Sequence, residues 1–144
     1  MIRVGLLAAA SLLFAAPSFA QTVGPCPGNV GSAAVSPPSW VLFDLGSAAV
    51  KPDARATIAQ AAKAANDRQA TKVCLVGQTD KLGDKNYNAK LAQQRSQAVA
   101  NELIKAGYPA QKIVIASNPE AFGNMSFGSN DASEKDRRVT IIPR

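Results

Sequence analysis

Histidine is absent from this chain of 144 residues. Its absence removes the commonest general base and every Ser-His or Cys-His nucleophile arrangement. No group of cysteines and acids has metal-ligand spacing. The one acid pair that could suggest glycoside cleavage, Asp80 and Asp84, shares a single short polar loop, where nothing sets an acid apart from a base. The sequence therefore predicts a protein that is not an enzyme and carries neither cofactor nor metal. Blocks of Lys and Arg are also missing, and aromatic residues make up only 6% of the chain, which argues against nucleic acid as a partner.

Long apolar runs are scarce as well. The longest, Val4 to Ala16, is shorter than the roughly 20 residues that a membrane span needs. It follows Arg3 and precedes Ser18-Phe19-Ala20, a small-x-small site before Gln21. These are the parts of a secretory signal peptide, residues 1–20, with cleavage expected after Ala20. A lipid anchor at Cys26 is the competing reading. Against it, Pro25 precedes Cys26, which stands six positions beyond Ala20. No second long apolar segment follows, so no transmembrane segment is expected in the mature chain, and the periplasm is the expected compartment.

What is present fits one small globular domain, with 47% apolar and 18% charged residues. Lys and Arg number 16 against 10 acids; losing Arg3 with the leader takes 16 to 15 and leaves a charge of +5. A basic exported protein meets acidic polymers and membrane surfaces first, so the cell wall and the outer membrane are the expected surroundings. Disulfides persist outside the cytoplasm, which makes Cys26 and Cys74 a candidate pair. Closing that loop would contribute roughly 4 kcal/mol on the chain-entropy view. A buried thiol at Cys74 with a free one at Cys26 remains the alternative.

Residues 21–39 hold four prolines and three glycines, which reads as an arm rather than a helix or central strand. Trp40-Val41-Leu42-Phe43 reads as a strand, with Trp40 either a core or edge aromatic or a ligand-stacking one. Pro52 and Asp53 suit a helix's first turn, and Ala54, Ile58, Ala61, Ala62 and Ala65 follow at helical spacing. Lys72 to Val76 is a strand covered on both faces. A second helix carries Leu91, Ala98, Val99, Leu103 and Ile104 and stops at Gly107. Ile113 to Ala116 and Val139 to Ile142 are further strands, with a long loop over 117–136 between them. The order βαβαββ predicts an α+β fold of two layers, a mixed four-stranded sheet with two main helices, over residues 40–144.

Asp80 leaves the end of one strand, and Arg95 lies on the next helix's apolar stripe, four residues from both Leu91 and Val99. An arginine there either snorkels outward or enters a polar pocket. Asp80 alone is ordinary turn chemistry. Together they set an acid and a base where ligands bind in sheets of this kind, beyond the strand ends and near a helix N-terminus. Arginine holds a carboxylate through paired hydrogen bonds, and aspartate accepts from an ammonium group. Such a pair suits a ligand with an amine and a carboxylate on one carbon. Asn88 reads chiefly as the helix N-cap and secondarily as a ligand contact.

Gly77-Gln78-Thr79-Asp80, then Gly83, Tyr87-Asn88, Leu91, Arg95 and Val99, and finally Asp136-Arg137-Arg138-Val139, resemble the OmpA-like (OmpA/MotB/Pal) peptidoglycan-associated domain. The likeness covers about residues 40 to 144. It implies non-covalent binding of peptidoglycan through the diaminopimelate of the stem peptide. Asp80 would take the ammonium group and Arg95 the carboxylate. Thr79, Asn88 and Leu91 would shape the pocket, and Arg138 would support it from the last strand. Other envelope proteins are further expected partners. The pattern departs at Ala92 and Ser96, which exchange the usual Ser and Ala, and at Gln78, where His is frequent. The alternative function is a periplasmic interaction module that keeps the fold but has lost wall binding. An exposed Asp80–Arg95 pair would add only ~0–1 kcal/mol to stability. Alanine at either position is thus expected to abolish wall binding and barely move the melting temperature.

Overall fold

The computed structural model describes residues 22–24, 26, 36–79, 84–116 and 134–144. The leader at 1–20, most of the arm, the loop 80–83 and the segment 117–133 lie outside the described residues. The elements in chain order are β1 (Thr22–Gly24), β2 (Ser39–Leu42), α1 (Pro52–Asp67), β3 (Val73–Gly77), α2 (Lys85–Lys105), β4 (Ile113–Ala116) and β5 (Arg138–Pro143), with short 3-10 turns at Ala110–Lys112 and Glu134–Asp136.

The strands form one mixed sheet in the order β1-β4-β3-β5-β2. β5 runs antiparallel to β3 and β2, while β1, β4 and β3 are mutually parallel. The α+β reading holds, but the sheet has five strands rather than four. The extra strand is β1, from the arm. Three residues ending in Gly24, just before Pro25, carry no periodic signal, and pairing with β4 through Val23↔Ile115 is what orders them.

α1 starts at Pro52, whose fixed φ suits the first helical position, with Asp53 in the first turn. Its buried face is Ile58, Ala61, Ala62 and Ala65. α2 buries Leu91, Ala92, Arg95, Ser96, Val99, Ala100 and Leu103 and ends at Lys105, just before Gly107, which takes φ of +92°. These faces meet Val73, Leu75, Ile113, Ile115, Val139 and Ile141 from the sheet in the main core. Alternation sends Cys74, Val76, Val114 and Ile142 to the other face, where Cys26 and Ala116 pack against them. Every residue of β3 is buried, as its unbroken apolar run requires.

Cys26 and Cys74 are joined by a disulfide, with Cα atoms 5.8 Å apart. The bond ties the chain just past β1 to the central strand β3 and holds Cys26 against the face that bears the smaller cluster.

Gly77 sets the height of α2 above the sheet. A Cβ there would stand 2.2 Å from the Ala92 carbonyl oxygen and 2.7 Å from Ser96 Oγ. Real Cβ atoms do not approach that closely, so the helix rests on bare backbone. Ala92 and Ser96 are both small because both lie against Gly77.

Candidate functional site

Three segments converge where β2 and β3 end. The chain leaving β2 turns at Asp44-Leu45-Gly46-Ser47, closed by a bond from Ser47 N–H to the Asp44 carbonyl of 3.2 Å. Gly46 takes φ of +65°, which a side chain would resist. β3 leaves through Gln78 and Thr79, which are half-buried. α2 begins opposite them. Its N-cap is Asp84, whose carboxylate accepts from Tyr87 N–H at 2.9 Å. Asn88 is thus not the cap. The helix starts earlier because Asp84 reaches the free amide of Tyr87, and Asn88 lies half-buried in the first turn, its own N–H bonded to the Asp84 carbonyl.

Arg95 joins the three segments. It stands about three turns into α2, deeper than a helix starting at Asn88 would have put it, and only 1% of it is exposed. Its Nε donates to the Ser47 carbonyl at 2.8 Å, Nη2 to the Asp44 carbonyl at 3.0 Å and Nη1 to the Gln78 carbonyl at 3.2 Å. The guanidinium carbon lies 5.3 Å from the centroid of the Phe43 ring, within cation–π range. Of the two orientations open to it, Arg95 takes the polar pocket, and backbone carbonyls build that pocket. This revises the expected indifference of stability to Arg95→Ala: the side chain is a buried staple between two loops and a helix.

Gln78 is held from both sides. Its carbonyl accepts from Arg95, its N–H donates to the Arg138 carbonyl at 2.8 Å, and its Oε1 accepts from Arg138 Nε at 2.7 Å. Arg138 in turn lies over the Trp40 ring, 5.5 Å from its centroid. Arg138 therefore supports the strand end from the face opposite the helices. Trp40 is an edge aromatic, 59% exposed. Phe43 and Arg137 exchange bonds as well, Phe43 N–H to the Arg137 carbonyl and Arg137 Nε to the Phe43 carbonyl.

Leu91 is buried beside Arg95 on the helix, and Tyr87 is one turn further out. The Tyr87 hydroxyl approaches Gly46, reaching 3.9 Å from where a Cβ would stand. Tyr87 and Leu45 remain largely exposed at the rim, at 57% and 70%. Asp44 also belongs to this rim, its carboxylate bridged to Lys51 at 2.7 Å. Sequence reasoning passed over Asp44, Leu45 and Ser47. Nothing in their spacing ties them to Arg95. Asp80 lies outside the described residues, so the ion partner read from the sequence is not placed. A separate open groove of about 220 Å³ runs along the other flank of α2, between Val23, Gly77, Gln93 and Ser96. Its floor is small side chains and backbone, and the buried arginine is not among the residues lining it.

The fold has counterparts among known proteins. The OmpA family model matches residues 42–140, and the chain belongs to the OmpA family. It is 36% identical over 108 residues to the outer-membrane lipoprotein YfiB of Pseudomonas aeruginosa, covering 72% of this chain and 62% of that protein. Among solved structures it is similar to the OmpA-like domain of FopA1 from Francisella tularensis, at TM-score 0.61 and 20% identity, covering 73% of this chain and 70% of that one. It is also similar to the peptidoglycan-associated lipoprotein of Burkholderia pseudomallei, at TM-score 0.60 and 24% identity, covering 73% and 89%. The chain spans less than two thirds of the length of YfiB, and at these identities the solved structures establish the fold alone.

Proposed function

We propose that this protein binds cell-wall peptidoglycan non-covalently in the bacterial envelope, gripping the diaminopimelate of the stem peptide at the crevice around Arg95. The reading assigns the ligand's ammonium group to Asp80 and its carboxylate to Arg95. Thr79, Asn88 and Leu91 shape the pocket and Arg138 braces it through Gln78. One observation carries it most: an arginine buried to 1% exposure is fixed by three carbonyls at the point where the 44–47 turn, the end of β3 and α2 converge. Burying a guanidinium among fixed acceptors is costly, and a positive charge held at a binding crevice is a reason to retain it. Family membership and a fold shared with a lipoprotein named as peptidoglycan-associated support the same reading. Export to the periplasm follows from the leader read at residues 1–20.

The deciding experiment is co-sedimentation with purified sacculi whose stem peptides contain diaminopimelate, beside sacculi containing lysine. Lysine lacks the second carboxylate, so retention only on the first kind is expected. Asp80→Asn is the variant of choice, since Arg95→Ala would disturb the fold; it should lose retention while melting like the parent. Folded protein that ignores both kinds of sacculi at low salt would overturn the proposal.

The alternative, an interaction module without wall binding, rests on the outer face of β2. There Trp40 and Leu42 are both exposed on an edge strand. It predicts an envelope protein partner that Asp80→Asn still captures and that Trp40→Ala loses.

A further inference from the structure

Strand register brings together cations that lie far apart in sequence. Val73 pairs with Ile113 on one side and with Pro143 on the other. Lys112 and Lys72 immediately precede those paired residues, so they stand side by side at the starts of β4 and β3. Lys72 and Arg144 exchange backbone bonds, Lys72 N–H to the Arg144 carbonyl at 3.1 Å and Arg144 N–H to the Lys72 carbonyl at 2.8 Å. Lys112, Lys72 and Arg144 therefore occupy successive strand ends, about 4.8 Å apart from strand to strand. Both helices finish at the same end. Arg68 caps α1 four residues before Lys72, and Tyr108, three residues past Lys105, donates to the Ala70 carbonyl.

Lys72, Lys112, Arg68 and Lys105 are all exposed. Their acidic company is small. Among the described residues, Asp67 is bridged to Lys63 and Glu102 to Lys105. Like charges at neighbouring strand positions cost stability, whereas basic residues near helix C-termini are favourable. The row lies at the end of the sheet opposite the crevice, where β3 begins rather than where it ends.

We infer that this basic end is an electrostatic docking surface for a bilayer containing anionic phospholipid. These cations come from separate strand ends and helix C-termini rather than from one loop. They suit a surface that offers many phosphates, to which each Lys or Arg contributes within a Debye length. The inference stands apart from the proposed wall binding. If both hold, the two ends of the sheet let one domain touch wall and membrane together.

The test is co-sedimentation of the full mature chain with vesicles of phosphatidylglycerol and phosphatidylethanolamine, beside vesicles of phosphatidylcholine. Binding is expected to the first only and to disappear at high salt. Lys72→Glu with Lys112→Glu should weaken it by roughly tenfold or more. Lys90→Glu with Lys135→Glu, the same charge change elsewhere, should weaken it far less. If the first pair does not fold, Lys72→Gln with Lys112→Gln replaces it and should show a smaller loss in the same direction. Equal losses from the two pairs would reduce the effect to net charge and overturn the inference. Failure to bind anionic vesicles would do so as well. Release by inorganic phosphate, but not by chloride at equal ionic strength, would point to a discrete anion site instead and equally overturn it.

Discussion

At one end of the sheet Arg95 is wrapped in backbone carbonyls; at the other, Lys72 and Lys112 stand in water beside Arg144. The charge has the same sign and opposite physical settings. A buried guanidinium has given up its hydration and holds its place only because fixed oxygens replace the lost water. It can therefore define geometry, and it does so by pinning the 44–47 turn and the end of β3 to α2. An exposed ammonium keeps its hydration and fixes little. Its influence is the field it adds over a Debye length. The two ends should respond to substitution in opposite ways, the crevice end through stability and the basic end through long-range attraction.

The largest effect is expected at Arg95. Arg95→Ala removes the guanidinium from over Phe43 and leaves the carbonyls of Asp44, Ser47 and Gln78 short of a donor. The expected loss is about 3–5 kcal/mol, the scale of a large buried truncation with unpaired polar groups. Arg95→Lys keeps the charge but not the fork, and should fall between. Urea unfolding of the two variants checks this. A loss below about 1 kcal/mol for alanine would place Arg95 with the exposed cations and break the contrast.

Much of this crevice was legible before any coordinates. The spacing of Leu91, Arg95 and Val99 put the arginine on the buried stripe, because helical periodicity is local. It did not say whether the side chain turned in or out, since its acceptors are carbonyls of Asp44, Ser47 and Gln78 in segments that only the fold brings together. Asn88 was misread as the cap because cap choice depends on which side chain meets a free amide, and Asp84 gets there first. β1 escaped notice because it is three residues long and has no pattern of its own. The basic row was invisible for the same reason: residues 72, 112 and 144 share nothing in sequence, and parallel and antiparallel register alone makes them neighbours.

The disulfide gives the next effect. Replacing Cys26 and Cys74 by serine opens a loop of sequence separation 48. That should cost about 2–4 kcal/mol, chiefly by freeing the unfolded chain. Cys74 faces away from α2, in the smaller cluster, so the crevice should keep its shape. Thermal melts with and without reductant, paired with the sacculus assay, check both halves. Wall retention lost together with the disulfide would tie the arm to the crevice and blur the distinction between them. The same bond commits the sulfur of Cys26, so while it is intact that residue has no free thiol.

The smallest effect is expected at the basic end, and its sign is what matters. Lys72→Ala with Lys112→Ala removes two exposed ammonium groups from neighbouring strand starts, where they repel each other and Arg144. Their loss should change stability by no more than about 0.5 kcal/mol, in the favourable direction, because no packing goes with them. Added salt should erase the gain, since the repulsion is between solvated charges. Parent and variant are thus expected to melt apart at low ionic strength and together at high. A clear loss of stability at every salt concentration would mean that the lysine stems, not their charges, hold this end of the sheet. The basic row would then be structure in the same sense as Arg95.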